Sequence, residues 1–167
     1  VRMLIELGSR YPAGFGGYFF VERGIFMLNS FKDLGLQPEL LDAVTRLGYE
    51  QPTPIQVETI PQMLLGRDVL AQSQTGTGKT AAFMLPILQR LQEHDNKAIK
   101  ALVLAPTREL AKQVADATEG FARNSQLRVL PIYGGQSYEI QIRALKRGVD
   151  IVVGTPGRLL DLMRQGH

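Results

Sequence analysis

The chain contains no cysteine, which excludes disulfides and thiolate metal sites. Its two histidines, His94 and His167, stand far apart with no ligand spacing around them, so zinc has no ligand set. No uninterrupted apolar run reaches the length of a membrane span. The Val1–Leu7 stretch is short and carries Glu6, which does not fit a secretory signal. A cytoplasmic protein without a membrane partner is expected. Dense clusters of one charge are also missing. The net charge of +3, from 19 basic and 16 acidic residues, permits a polyanionic partner without arguing for one.

What is present is a chain of 167 residues, 44% hydrophobic and 21% charged, the balance of one globular domain with a real core. Residues 1–30 read differently from the rest. Tyr11–Tyr18 is rich in glycine and aromatics, and the stretch from Phe19 to Leu28 alternates poorly. A natural start at Met27 is expected, because Glu22, Arg23 and Gly24 can be encoded by a purine-rich run just ahead of it. A genuine N-terminal extension is the alternative. The expected division is 1–30 as that extension, 31–58 as a segment leading into the domain, and 59–167 as the domain itself.

From Phe31 the pattern is regular. Helices are predicted over 38–47, 55–65, 79–92, 108–123, 138–147 and 157–164, with Pro61 a candidate kink in the second. Strands are predicted over 68–71, 101–105, 127–133 and 150–153. Strands alternating with helices imply a parallel sheet covered by helices, and the short apolar strands fit burial on both faces. Lys97 and Lys100 are expected to be solvated. Leu85, Leu88 and Leu91 are expected in the core.

The strongest chemical signal is the run Ser73, Gln74, Thr75, Gly76 followed by Thr77, Gly78, Lys79, Thr80. It stands between a predicted strand and a predicted helix, as a phosphate loop does. Glycines let the backbone turn its N–H groups inward, and the helix N-terminus favours anions. Lys79 is the candidate for the β- and γ-phosphates, and the Thr80 hydroxyl for magnesium. Ser73 replaces the usual leading glycine, and a glycine-rich turn before an amphipathic helix is the bland alternative. A second element is Gly48 to Gln56, braced by Pro52 and Pro54. The Gln56 amide carries both a donor and an acceptor, which suits the adenine edge, but by itself this is a proline-braced helix start.

Together these elements resemble the Q motif and phosphate loop of the DEAD-box RNA helicases, with Phe31 at the family's upstream aromatic position. The family's other motifs follow in order. Pro106, Thr107 and Arg108 open a stretch similar to motif Ia. Gly134 and Gly135 resemble the GG motif. Thr155, Pro156, Gly157 and Arg158 resemble motif Ib, and the wording is that of bacterial members. The resemblance runs from Phe31 to His167. It implies a P-loop NTPase of RecA-like α/β fold with an incomplete parallel sheet. It implies ATP with magnesium as cofactors, and RNA and a second RecA-like domain as partners. Phe31 would stack on adenine, Gln56 would read it, and Thr53 would hold the loop. The motif Ia, GG and Ib residues would contact the RNA backbone, where small residues allow close approach and Arg108 and Arg158 add charge. Tyr138 and Gln141, beside the GG motif, are more readily packing or surface residues.

The sequence contains no Asp-Glu-Ala-Asp and no Ser-Ala-Thr motif. The chain is therefore expected to represent the ATP-binding front part of the first RecA-like domain. By itself it should neither hydrolyse ATP nor unwind RNA, and it should expose strand edges. A non-catalytic module binding adenine nucleotide or RNA is the alternative. A different phosphate-loop ATPase is a third reading, which the Gln56 and Thr155–Arg158 elements oppose.

Overall fold

The computed structural model describes residues 30–91 and 98–167, together with the backbone of residues 5–6 and 18–19. Strand β1 (Ile5–Glu6) pairs antiparallel with β2 (Tyr18–Phe19). Met27, the Glu22–Gly24 run, Lys97 and His94 lie outside the described residues. The chain divides into two compact units, Val1–Arg90 and Leu91–His167.

In the first unit a 3-10 turn, Phe31–Leu34, leads into α1 (Pro38–Arg46), α2 (Pro54–Leu64) and α3 (Lys79–Leu91). Proline at the first helical position starts α1 and α2, where its fixed φ fits and its missing N–H has no helix partner to lose. The second helix runs through Pro61 without a break. Leu85, Leu88 and Leu91 are buried as expected, with Met84 among them. The Gln89 amide joins α3 to the turn, accepting from the Gln37 N–H at 2.9 Å and donating to Gly35 O at 3.1 Å. The predicted strand over 68–71 does not form. A strand exists only through ladder bonds to a neighbour, and among the described residues this segment has none.

The second unit is an α/β layer. Its sheet contains β3 (Ala101–Leu104), β4 (Val129–Ile132) and β5 (Ile151–Gly154), all parallel, in the order β3-β5-β4. Helix α4 (Arg108–Phe121) follows β3 and contacts β4 and β5. Helix α5 (Tyr138–Arg147) follows β4, and α6 (Pro156–Arg164) follows β5. Ile132, Val149, Val152 and Leu162 form a core cluster, with Ile142, Leu145 and Leu159 packed on it. Only central β5 is buried on both faces. Leu102 and Leu104 of edge strand β3 are 57% and 60% exposed, which corrects the expectation that every strand is doubly covered. An edge strand has one neighbour, and the α5–α6 layer covers the β4–β5 side of this face.

Lys100 is also corrected. It is not solvated: its ammonium reaches Asp150 at 3.1 Å, with both side chains nearly enclosed. Arg128 adds its guanidinium at 3.6 Å and its N–H at 2.9 Å to the same carboxylate. Burial alone would raise the Asp150 pKa. The Arg128 N–H, the Lys100 ammonium and the Arg128 charge outweigh it and hold the carboxyl below its ordinary value.

Candidate functional site

In the first unit the run from Ser73 to Thr80 wraps into a loop whose Gly76 and Gly78 take positive φ, 77° and 80°. The ladder of α3 begins with the Ala82 N–H donating to Gly78 O, so the N–H groups ahead of it belong to an open helix N-terminus. Lys79 folds back over the loop and donates to Ser73 O at 2.7 Å and Gln74 O at 2.5 Å. The Ser73 and Thr77 hydroxyls meet at 2.6 Å, and Thr77 donates onward to Gln74 O at 2.8 Å. A serine at the position of the missing glycine therefore ties the loop to itself.

Gln56 braces this loop from beneath. It is 0% exposed. Its Oε1 accepts the Thr53 N–H at 2.9 Å, and its Nε2 donates to Gly78 O at 3.1 Å. The Thr53 hydroxyl donates to Thr77 O at 2.9 Å. A Cβ on Gly78 would run into the Gln56 amide, so the glycine is required both by its φ and by this contact. Phe31 is buried and meets Tyr49 edge-on, with ring centroids 6.1 Å apart. The loop fits a polyphosphate: a half-buried ammonium, two turn glycines and a helix N-terminus share one curve. For magnesium, this loop offers the Thr80 hydroxyl. No cluster of three or more His, Cys, Asp or Glu side chains that could hold a metal ion occurs among the described residues.

In the second unit the three parallel strands end at one edge, and each motif follows its strand. Pro106 and Thr107 follow β3, and the Thr107 hydroxyl caps α4 by accepting the Leu110 N–H at 3.2 Å. Gly134 and Gly135 follow β4, and the Arg108 guanidinium lies over them. Thr155 follows β5 as the N-cap of α6, with Pro156 in its first turn and Gly157 open to solvent. Small residues and helix starts thus share the carboxyl edge of the sheet, where α/β folds place ligands.

The family profile for the DEAD/DEAH box helicase matches residues 53–167. The chain belongs to the DEAD/DEAH box helicase family. It is 56% identical over 138 residues to the ATP-dependent RNA helicase DeaD of Escherichia coli K12, covering 82% of this chain and 22% of that protein. The RNA helicase CrhR of Synechocystis is 54% identical over 137 residues, 82% of this chain and 27% of the relative. The chain therefore spans about a quarter of the length of these relatives or less. Among solved structures, a DEAD box protein from Methanococcus jannaschii matches with TM-score 0.74 at 42% identity, over 83% of this chain and 38% of that one. An RNA helicase from Chaetomium thermophilum bound to ADP matches with TM-score 0.76 at 46% identity, over 81% of this chain and 34% of that one. Both confirm the RecA-like α/β fold.

In this DEAD-box chain the nucleotide candidates Thr53, Gln56 and Ser73 to Thr80 are brought together in the first unit. The motif Ia, GG and Ib residues are brought together in the second. Sequence reasoning gave no role to Asp150 or Gln136, and gave Gln141 only a packing or surface one. Asp150 ties the strand starts together, and Gln136 and Gln141 hold the GG segment. The signal for the first was present: Lys100, Arg128 and Asp150 each immediately precede a strand. The signal for the second was a polar residue at a buried position of α5. No helix among the described residues is long and apolar enough to cross a membrane.

Proposed function

We propose that this chain is the ATP- and RNA-backbone-binding portion of an ATP-dependent DEAD-box helicase that remodels structured RNA in the cytoplasm. The first unit takes the nucleotide. Lys79 exchanges its loop carbonyls for the β- and γ-phosphates, the loop N–H groups surround them, and the Thr80 hydroxyl faces magnesium. Phe31 and Gln56 serve the adenine. An amide has two donor hydrogens and two acceptor lone pairs, so Gln56 keeps one of each after bonding Thr53 and Gly78. The second unit lays RNA along Pro106, Thr107, Arg108, Gly134 and Gly135, then Thr155, Pro156 and Gly157, with Arg158 closing that run. Hydrolysis and strand separation are proposed for the whole helicase, whose relatives this chain matches over about a quarter of their length, with a second RecA-like domain as partner.

The observation that carries the reading is the buried Gln56 amide bonded to the phosphate loop itself. It joins an adenine-reading group to the phosphate-binding backbone within one hydrogen-bonded set. Thermal melts of the chain with Mg-ADP and with Mg-GDP test it. A ligand confined to the native state adds about 2.7 kcal/mol at a hundredfold excess over Kd. ADP is expected to raise the Tm, GDP is not, and Lys79→Ala is expected to abolish the ADP effect. A Tm indifferent to ADP would remove the nucleotide reading.

A further inference from the structure

Two arginines stand at the carboxyl edge of the second unit's sheet, and their surroundings differ. Arg108 is exposed. Its guanidinium lies over Gly135, and among the described residues it makes no side-chain hydrogen bond or ion pair. Arg158 is half-buried and committed. Its Nη1 donates to Gln136 O at 3.0 Å and to Gln141 Oε1 at 3.1 Å, and its guanidinium carbon sits 3.8 Å from the centroid of the Tyr138 ring. Gln141 is 1% exposed. Its Nε2 donates to Tyr133 O at 3.1 Å and to Gln136 Oε1 at 3.1 Å. Tyr138 is held in turn, donating to Asp161 of α6 at 3.1 Å.

This set joins the two ends of the segment that carries Gly134 and Gly135 to the first turn of α6. Tyr133 and Gln136 flank the glycines, and Arg158 lies one residue beyond Gly157. A guanidinium is planar, so its face can lie on the Tyr138 ring while the two hydrogens of Nη1 donate in its plane, a fixed geometry that the rotating ammonium of a lysine does not hold. We propose that Arg158 is a positioning residue: with Gln141 and Tyr138 it fixes the spacing between the GG segment and the start of α6, and Arg108 is the arginine that pairs with phosphate. The inference rests on the RNA reading above and deepens it by separating charge from geometry at one edge.

Anisotropy titrations of the full chain with a fluorescein-labelled single-stranded oligouridine, repeated across a salt series, distinguish the two jobs. Each phosphate contact contributes about 0.7 to the slope of log K against log salt for a single strand. Arg108→Gln is expected to reduce the slope by about that amount. Arg158→Lys keeps the charge and loses the fork. It is expected to weaken binding about tenfold, the scale of one charged hydrogen bond, with the slope unchanged. Gln141→Leu should behave like Arg158→Lys. Tyr138→Ser alters an exposed side chain and keeps the test alive if Gln141→Leu does not fold; it too should lower affinity at constant slope. Retained affinity in Arg158→Lys, together with a reduced slope in Arg158→Gln, would make Arg158 a direct phosphate contact and overturn the proposal. Unchanged binding in Tyr138→Ser would also overturn it. Absence of oligouridine binding by the wild-type chain, with ADP binding intact, would remove the RNA reading and this inference with it while leaving the nucleotide site standing.

Discussion

Gln56 in the first unit and Gln141 in the second are both buried amides that hold a glycine-bearing loop. Gln56 bonds only neutral backbone, the Thr53 N–H and the Gly78 carbonyl. Gln141 bonds one backbone carbonyl, one side-chain amide and a cation. The first arrangement sets the shape of a loop and takes no bond from its charge, Lys79, which donates to Ser73 O and Gln74 O. The second uses a charge as part of the frame. A neutral brace suits a site whose cation must change partners. A charged brace suits a surface whose backbone must stay in place.

The largest way to break the comparison lies in the second unit's ionic anchor. Asp150→Asn takes the counter-charge from the nearly enclosed Lys100 and should cost about 3 kcal/mol in a denaturant melt at neutral pH. The same carboxylate sets a pH dependence. Its pKa is lowered on folding, so its stabilisation is complete above the ordinary aspartate value of about 4 and fades as pH falls through the lowered one. The mutant should lose that acid limb, and a limb unchanged in Asp150→Asn would assign it to other carboxylates. Next comes the neutral brace. Gly78→Ala meets both a positive φ and the Gln56 amide, and should cost about 3 kcal/mol while abolishing the ADP-dependent rise in Tm. Full ADP response in that variant would show that Gln56 yields freely. The smallest effect is in α2. The Thr59 hydroxyl is buried without a partner among the described residues, so Thr59→Val should stabilise by about 1 kcal/mol. Loss of stability instead would mean the hydroxyl is satisfied in solution.

Much of the local structure was legible. Pro38 and Pro54 marked helix starts, and α3, α4 and α5 lie close to their predicted spans. The glycines and Lys79 announced the loop. The segment at 68–71 was not legible, because its apolar residues say only that it could pair, and pairing depends on a neighbour. Lys100 was misread for a related reason. Seen alone it is a lysine in a polar loop. Set in register with Asp150 and Arg128, it is one of three charges at the same level of the sheet. The Arg158 frame was hidden because its members come from Tyr133, Gln136, Tyr138, Gln141 and α6, and no single spacing joins them.

The clasp of Lys79 on Ser73 O and Gln74 O has a calorimetric consequence. On the proposed nucleotide reading, an anion entering the loop would not meet a bare ammonium. It would substitute for two carbonyl oxygens already in place, so the heat of that step would be a difference between two sets of hydrogen bonds. The loop also keeps its curvature before the exchange, because the lysine acts as its internal counter-ligand. Recognition by such a loop draws on the number and placement of anionic oxygens more than on the strength of any one contact.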